Sequence, residues 1–122
     1  MIYLVIFICI ALAESCPKNI HSVDSLPGAS GSIHPCQYAG YLDVRNATKF
    51  PKETHKLFYW FFRHSDQSKP LVIWMNGGPG SSSMFAVFLE GGPLRVTKTD
   101  STFNITAAEL TWTHHYHVVY LD

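Results

Sequence analysis

A continuous apolar run followed by a glycine-rich loop is the feature that most constrains this chain. The run spans residues 71–75, the loop spans residues 76–83, and a second apolar segment occupies residues 84–89 and is followed by Glu90. An apolar run without alternation is typical of a strand that is buried on both faces of an α/β sheet. We therefore predict a buried strand, a tight loop whose serines cap a helix start, and a short helix that ends at the Gly-Gly-Pro sequence of residues 91–93.

The segments on either side of this unit predict further strands. Residues 38–44 and the aromatic residues 56–62 are separated by a polar break that contains Pro51, which predicts an antiparallel hairpin. Residues 103–105 predict a minor edge element, and residues 118–121 predict another buried strand. The predicted fold class is α/β, with an incomplete mixed sheet in which an antiparallel hairpin is followed by parallel strands. We expect the terminal strand to be exposed and to favour aggregation.

The glycine-rich loop has the composition of an anion-binding loop, because glycines allow backbone N–H groups to converge on one point. A phosphate-binding loop would continue with lysine, but Gly80 is followed by Ser81. A dinucleotide-binding loop would place a third glycine where Ser83 stands. The remaining alternatives are an oxyanion hole that follows the strand and a tight structural turn.

The N-terminal residues indicate a secreted protein. Residues 1–13 are apolar and end in Ala-Leu-Ala, which predicts a signal peptide. The apolar run is too short for the alternative, a membrane anchor. Residues 14–36 predict an irregular lead-in, and residues 37–122 form the predicted domain, which we expect to be truncated. We expect a location in the secretory pathway, either extracellular or in a lysosome or vacuole.

Cysteines and glycosylation sequons agree with this location. After signal removal Cys16 and Cys36 remain, and each could pair with the other or with a cysteine beyond residue 122. Asn46 and Asn104 each begin an Asn-x-Thr sequon for N-glycosylation. The chain has nine basic and nine acidic side chains, so no basic excess indicates a nucleic acid or a membrane surface as partner.

The loop and its flanks resemble one protein family. The sequence Trp-Met-Asn-Gly-Gly-Pro-Gly-Ser-Ser-Ser at residues 74–83 is similar to the signature loop of the serine carboxypeptidases, peptidase family S10. The resemblance continues in one register from about Gln37 to Asp122. Its further matching segments are residues 38–44, 57–62 and 88–93, Trp112, and residues 119–122. The resemblance implies the N-terminal portion of an α/β-hydrolase fold.

The resemblance also implies roles for individual residues. Gly78 matches the glycine whose N–H helps to form the oxyanion hole. Trp74, Asn76, Gly77 and Glu90 match positions that bind the C-terminal carboxylate of a peptide substrate. The Glu90 carboxyl and the substrate carboxylate could share a proton at close range, because the repulsion between like charges raises the pKa of one of them. The resemblance implies an enzyme that releases a C-terminal amino acid and needs no cofactor. The shared proton implies that this activity is favoured at acid pH.

The chain departs from the family pattern at Ser81, where the family usually has a cysteine that forms a disulfide with a distant part of the fold. None of Ser81, Ser82 and Ser83 is assigned as the nucleophile, because the family's nucleophile lies on a Gly-x-Ser-x-Gly elbow. No such pentapeptide occurs in the 122 residues. We therefore expect no catalytic triad and no activity from this chain alone.

Three histidines near the end of the chain invite a metal-binding hypothesis. His114, His115 and His117 have no acidic or cysteine partner beside them in the sequence, so we predict no metal site. They are not assigned as the catalytic histidine either, because in this fold the order is Ser, Asp, His, all after the oxyanion loop.

Two other functions stay open: an acyltransferase related to the carboxypeptidases, and a secreted, non-enzymatic peptide-binding fragment.

Overall fold

The structure is a computed structural model, and it describes residues 16–31, 33–34, 36–44 and 55–122. The predicted signal peptide and the Asn46 sequon lie outside these residues. The described part contains six strands, one α-helix and one 3₁₀ helix. In chain order they are β1 Gln37–Val44, β2 His55–Phe62, β3 Leu71–Trp74, α1 Met84–Leu89, β4 Leu94–Lys98, β5 Phe103–Ala107, the 3₁₀ helix Trp112–His114 and β6 His117–Leu121.

The predicted antiparallel hairpin is confirmed. β1 pairs with β2 along its whole length, from Gln37 opposite Phe62 to Val44 opposite His55. Alternate aromatic side chains of β2 pack inward, because successive side chains of a strand point to opposite faces. Trp60 and Phe62 are buried, and their rings stack with centroids 5.2 Å apart.

The main sheet is mixed and has the strand order β1-β2-β6-β3. β6 runs antiparallel to β2 and parallel to β3, which confirms the predicted parallel pair. The expectation of an exposed terminal strand was wrong: β6 lies between two neighbours, and Val118 and Tyr120 are buried. The exposed edge beside it belongs to β3 instead.

The prediction that the apolar run is buried on both faces was also wrong. Among the described residues β3 pairs only with β6. Leu71 and Ile73 are 57% and 56% exposed, while Val72 and Trp74 are half-buried. α1 covers one side of the sheet, and no element among the described residues covers the other face of β3. A run without polar residues therefore gives an alternating burial pattern here, because only one of its faces is packed.

The helix prediction is confirmed, with α1 ending at Leu89 before the Gly-Gly-Pro sequence. β4 was not predicted; it follows this sequence directly and pairs antiparallel with β5 in a separate two-stranded sheet. The predicted element at residues 103–105 is thus one half of a hairpin. Leu94 at the start of β4 is fully buried and joins the core.

One hydrophobic core connects α1, β4 and the main sheet. Phe62 contacts Tyr120 edge-on, and Phe88 from the helix contacts Trp60 in the same way. The core consists of Trp60, Phe62, Ala86, Val87, Leu94, Val118 and Tyr120. This packing fixes α1 against the end of β6, and so it also fixes the loop that precedes the helix.

The segment before β1 is attached to the domain by a disulfide and by β-bridges. Cys16 and Cys36 form a disulfide. Ser22 bridges to Tyr38 of β1, and Ala29 bridges to Ile105 of β5. No helix in the described part of the chain is long and apolar enough to cross a membrane.

Candidate functional site

The candidate site lies where β3 and β6 end. Both strands run in the same direction, with Trp74 opposite Tyr120, so their carboxyl ends reach the same edge of the sheet. The glycine-rich loop leaves β3 at this edge, and Asp122 follows β6 beside it. In open α/β sheets, ligands are bound at this kind of edge.

Trp74 and Asn76 are joined by their side chains. The indole N–H of Trp74 donates a hydrogen bond of 2.9 Å to Oδ1 of Asn76. This bond fixes the orientation of the amide, because Oδ1 must face the indole. Nδ2 therefore points its two N–H donors elsewhere, and one of them reaches Oγ of Ser81 at 3.4 Å.

Two glycines of the loop have positive φ angles, +64° at Gly78 and +88° at Gly80. A side chain at these positions would be strained, which explains why glycine is needed here. The N–H of Ser81 donates to the carbonyl of Gly78 at 3.0 Å and closes a tight turn. No heavy atom lies within 4 Å of the position that a Cβ of Gly77 or Gly78 would occupy, so this side of the loop is open.

The side chain of Asn76 faces a cleft of about 420 Å³. The lining residues are Leu57, Met75, Asn76, Gly80, Ser81, Ser82, Ser83, Leu121 and Asp122. Ser83 connects the two sides of the loop, because its Oγ accepts a 3.1 Å hydrogen bond from the backbone N–H of Asn76. Ser83 is the N-cap residue of α1 but makes no side-chain capping bond. The N–H of Met84, the first residue of α1, donates instead to Oγ of Ser82 at 3.1 Å.

Asp122 also belongs to this arrangement, although its part was not predicted from the sequence. Its carboxylate accepts hydrogen bonds from the N–H of Ser83 at 2.7 Å and from the hydroxyl of Ser82 at 2.9 Å. The sequence signal was present: an acidic residue directly after a parallel strand lies at the same edge as the loop after the neighbouring strand.

Glu90 lies at the far end of α1. Its side chain is exposed, and its backbone carbonyl accepts a 2.7 Å hydrogen bond from the guanidinium of Arg95. Arg95 was also missed; it donates further to the carbonyls of Gly92 and Leu94 and so satisfies backbone groups around the helix end. Beside it, Trp112 leaves no room for a Cβ at Gly91.

Tyr120 lies beside Trp74, one of the predicted carboxylate-binding residues. Its ring centroid lies 6.5 Å from that of Trp74. Burial raises the pKa of the Tyr120 hydroxyl to about 12; the charge of Arg95 acts against this increase and the charge of Glu90 adds to it. Glu90 does not line the cleft that contains Asn76.

The predicted site residues are thus arranged in two groups. Trp74 and Asn76 are hydrogen-bonded to each other, with Gly77 and Gly78 exposed in the adjoining turn. Glu90 is separated from them by the length of α1. The other predicted positions lie elsewhere: Asn104 is half-buried on β5, and Cys36 of the disulfide directly precedes β1.

The histidines show no metal-binding arrangement. His117 accepts a 3.0 Å hydrogen bond at Nδ1 from the backbone N–H of His64, and His114 and His115 are exposed. Within residues 16–31, 33–34, 36–44 and 55–122, no group of three His, Cys, Asp or Glu side chains could hold a metal ion.

Comparison with known proteins gives the family. The family model for serine carboxypeptidases, Peptidase S10, matches residues 27–122. The chain belongs to the serine carboxypeptidase family. The matched range includes the glycine-rich loop, α1 and Asp122, and so the resemblance inferred from the loop is confirmed.

Curated relatives include several fungal proteins. The chain is 38% identical over 106 residues to carboxypeptidase Y homolog A of Neurospora crassa, an alignment that covers 85% of the chain and 17% of the relative. It is 40% identical over 88 residues to carboxypeptidase Y homolog A of Trichophyton rubrum, covering 70% of the chain and 15% of the relative. The chain thus spans less than a fifth of the length of these relatives.

Proposed function

We propose that this chain forms the carboxylate-binding and oxyanion-binding part of the active site of a secreted serine carboxypeptidase with an α/β-hydrolase fold. The nucleophile, the histidine and the aspartate of the triad are supplied by polypeptide outside residues 1–122. The observation that carries this proposal is the hydrogen bond between Trp74 and Asn76, at the start of a loop that belongs to this family.

The Asn76 amide is suited to bind a carboxylate. Because its oxygen is occupied by Trp74, its nitrogen is presented as a donor of up to two N–H groups. One of these makes a long contact of 3.4 Å with Ser81, and a carboxylate oxygen would be a stronger acceptor. The open space beside Gly77 and Gly78 leaves room for the end of a peptide.

The proposed reaction follows the acyl-enzyme route. The serine oxygen attacks the last peptide carbonyl while its proton passes to the histidine, and the N–H of Gly78 stabilises the oxyanion, a contribution of about 3–4 kcal/mol for one such donor. The carbon–nitrogen bond then breaks, and the histidine gives its proton to the departing amino acid. Water attacks the acyl-enzyme, releases the shortened peptide and regenerates the serine hydroxyl.

Glu90 makes this binding dependent on pH. In the proposal the exposed Glu90 carboxyl and the substrate carboxylate share one proton when the substrate is bound. Loss of that proton leaves two like charges at close range, so binding weakens as the pH rises. KM is therefore expected to increase with pH, whereas a KM that does not depend on pH would contradict this role of Glu90.

The proposal is tested with the complete gene product that contains this chain. The reading frame beyond the codon of Asp122 is expected to continue into a Gly-x-Ser-x-Gly segment. The purified protein is expected to remove single residues from the C-terminus of a peptide, as followed by mass spectrometry, and to lose this activity when a phosphonofluoridate labels one serine. The labelled serine is expected to lie outside residues 1–122; a label on Ser81, Ser82 or Ser83 would contradict the assignment.

The same assay separates hydrolysis from acyl transfer. A carboxypeptidase releases the shortened peptide as a free acid when water is the only acceptor. An acyltransferase needs a second alcohol or amine substrate to turn over at a comparable rate. Turnover that requires such an acceptor would replace the proposed hydrolytic function by the transferase.

The secretory location is a separate part of the proposal. Cleavage after Ala13 and glycans on Asn46 and Asn104 are expected in the expressed protein. N-terminal sequencing and treatment with an N-glycosidase test both expectations. An intact Met1 in the mature protein would contradict the location.

A further inference from the structure

Asp122 is held rigidly by its backbone, and this determines where its side chain is presented. Its N–H donates to the carbonyl of Phe58, and its carbonyl accepts from the N–H of the same residue, both at 2.9 Å. These two bonds fasten the residue to β2, next to the point where β6 ends. The side-chain carboxylate is therefore attached to a backbone whose position at the edge of the sheet is fixed.

The side-chain carboxylate connects the backbone at the end of β6 to the end of the glycine-rich loop. It accepts from the backbone N–H of Ser83 at 2.7 Å and from the hydroxyl of Ser82 at 2.9 Å. Ser83 is 3% exposed, so its N–H has little access to water and depends on this acceptor. Hydrogen bonds to a charged acceptor are stronger than those between neutral groups.

Ser83 extends the connection to the start of the loop. Its hydroxyl oxygen accepts the backbone N–H of Asn76 at 3.1 Å. The sequence of contacts therefore runs from Asp122 through Ser83 to Asn76, and it joins the two ends of the loop that contains Gly78. The turn between these ends has one internal backbone bond, from Ser81 to Gly78, and is otherwise exposed.

We propose that Asp122 is a positioning residue, which holds Ser83 and through it places the Asn76 amide and the Gly78 turn for carboxylate and oxyanion binding. This inference rests on the proposed function, and it deepens that function by assigning the support of the loop. Asp122 does not touch the substrate in this scheme. Its effect is on the direction in which the Asn76 donors point.

The test uses Asp122→Ala and Asp122→Asn in the complete gene product, with Asp100→Ala as control. Asp100 is an exposed aspartate in the turn between β4 and β5, remote from the loop in the fold. The measured quantity is the ratio of kcat/KM for a peptide with a free C-terminal carboxylate to kcat/KM for its C-terminal amide. Loss of folded protein lowers both values equally and leaves this ratio unchanged, whereas displacement of Asn76 lowers the ratio.

Asp122→Ala is expected to lower the ratio by about 10-fold or more, as loss of hydrogen bonds to a charged group does. Asp122→Asn keeps a carbonyl oxygen for the N–H of Ser83, and is expected to lower the ratio by about 2- to 5-fold. Asp100→Ala is expected to leave it unchanged. If Asp122→Ala does not fold, Asp122→Asn decides alone, and an unchanged ratio in the variant that folds would overturn the proposal.

Hydrogen exchange separates this inference from the proposed function. In Asp122→Ala, or in Asp122→Asn if the alanine variant does not fold, the amides of residues 76–84 are expected to exchange at least about 10-fold faster than in the parent protein, while those of β4 and β5 are unchanged. If the parent protein has no carboxypeptidase activity, the proposed function fails and this exchange result still decides whether Asp122 supports the loop. Unchanged exchange in residues 76–84 would overturn the inference in either case.

Discussion

His34 is expected to make the stability of this domain depend on pH. Its ring packs edge-on against the buried Phe62, with centroids 5.4 Å apart. Burial lowers the pKa of His34 from 6.5 to about 4; the interaction with the backbone of Cys36 acts against this decrease, and the charges of His64 and His114 add to it. Nδ1 accepts the N–H of Cys36 at 3.3 Å, which requires this nitrogen to be unprotonated.

The sign of the effect follows from proton binding in the two states. Between pH 4 and 6.5 the unfolded chain protonates His34 and the folded protein does not, so stability increases with pH in this range. The part of the folding stability that depends on His34 is fully present above about pH 6.5, and it is lost as the pH falls towards 4. The difference between 6.5 and about 4, at about 1.4 kcal/mol for each pH unit, corresponds to about 3 kcal/mol.

Urea unfolding at pH 7.5, 5.2 and 4.0, followed by tryptophan fluorescence, measures this contribution. His34→Gln keeps an acceptor for the N–H of Cys36 but does not titrate. The variant is expected to lose about 3 kcal/mol less than the parent protein between pH 7.5 and 4.0. His115→Gln, at an exposed position, is expected to behave like the parent protein. The reasoning is refuted if His34→Gln and the parent protein lose stability equally, or if NMR shows that the His34 ring titrates near 6.5.

Three further substitutions test the packing around the site. Gly92→Ala is expected to destabilise the protein by more than about 2 kcal/mol, because the new Cβ would overlap the carbonyl oxygen of Ala86; thermal unfolding measures this, and an unchanged midpoint would contradict the packing at the helix end. Arg95→Ala is expected to cost about 1.5–3 kcal/mol in urea unfolding, because the backbone carbonyls of residues 90, 92, 94 and 110 lose a charged donor. The exposed Lys98→Ala is expected to cost less than about 0.5 kcal/mol, and equal costs would exclude the role assigned to Arg95. Cys36→Ser is expected to cost about 2–4 kcal/mol, because it opens a loop of 20 residues, and a variant as stable as the parent would show that the disulfide adds nothing.

The local elements of the fold could be predicted because their signals are contiguous in the sequence. The hairpin, the helix after the loop and the parallel arrangement of β3 and β6 each follow from a run of residues and its boundaries. The burial of a strand depends instead on what packs against each face. Leu71 and Ile73 therefore have the sequence of a buried strand and the exposure of an edge strand.

The candidate site was located in the sequence by the same kind of contiguous signal, and the roles of its residues stay predictions. The loop signature led to Trp74, Asn76 and Gly78, because these residues lie within one uninterrupted motif at residues 74–83. Asp122 and Arg95 were missed because their partners depend on tertiary structure: Asp122 bonds to a residue 39 positions earlier. Such contacts become predictable only after the strands are known to be parallel neighbours.

The central claim is that the N–H of Gly78 stabilises the oxyanion while Asn76 binds the terminal carboxylate. A crystal structure of the complete gene product with a bound peptidyl phosphonate tests this directly, because the phosphonate reproduces the tetrahedral intermediate. The account predicts one phosphonate oxygen at about 2.7–3.1 Å from the nitrogen of Gly78, and the terminal carboxylate within hydrogen-bond distance of Nδ2 of Asn76. A phosphonate oxygen bound by other donors, with the Gly78 turn directed away from the inhibitor, would contradict the account.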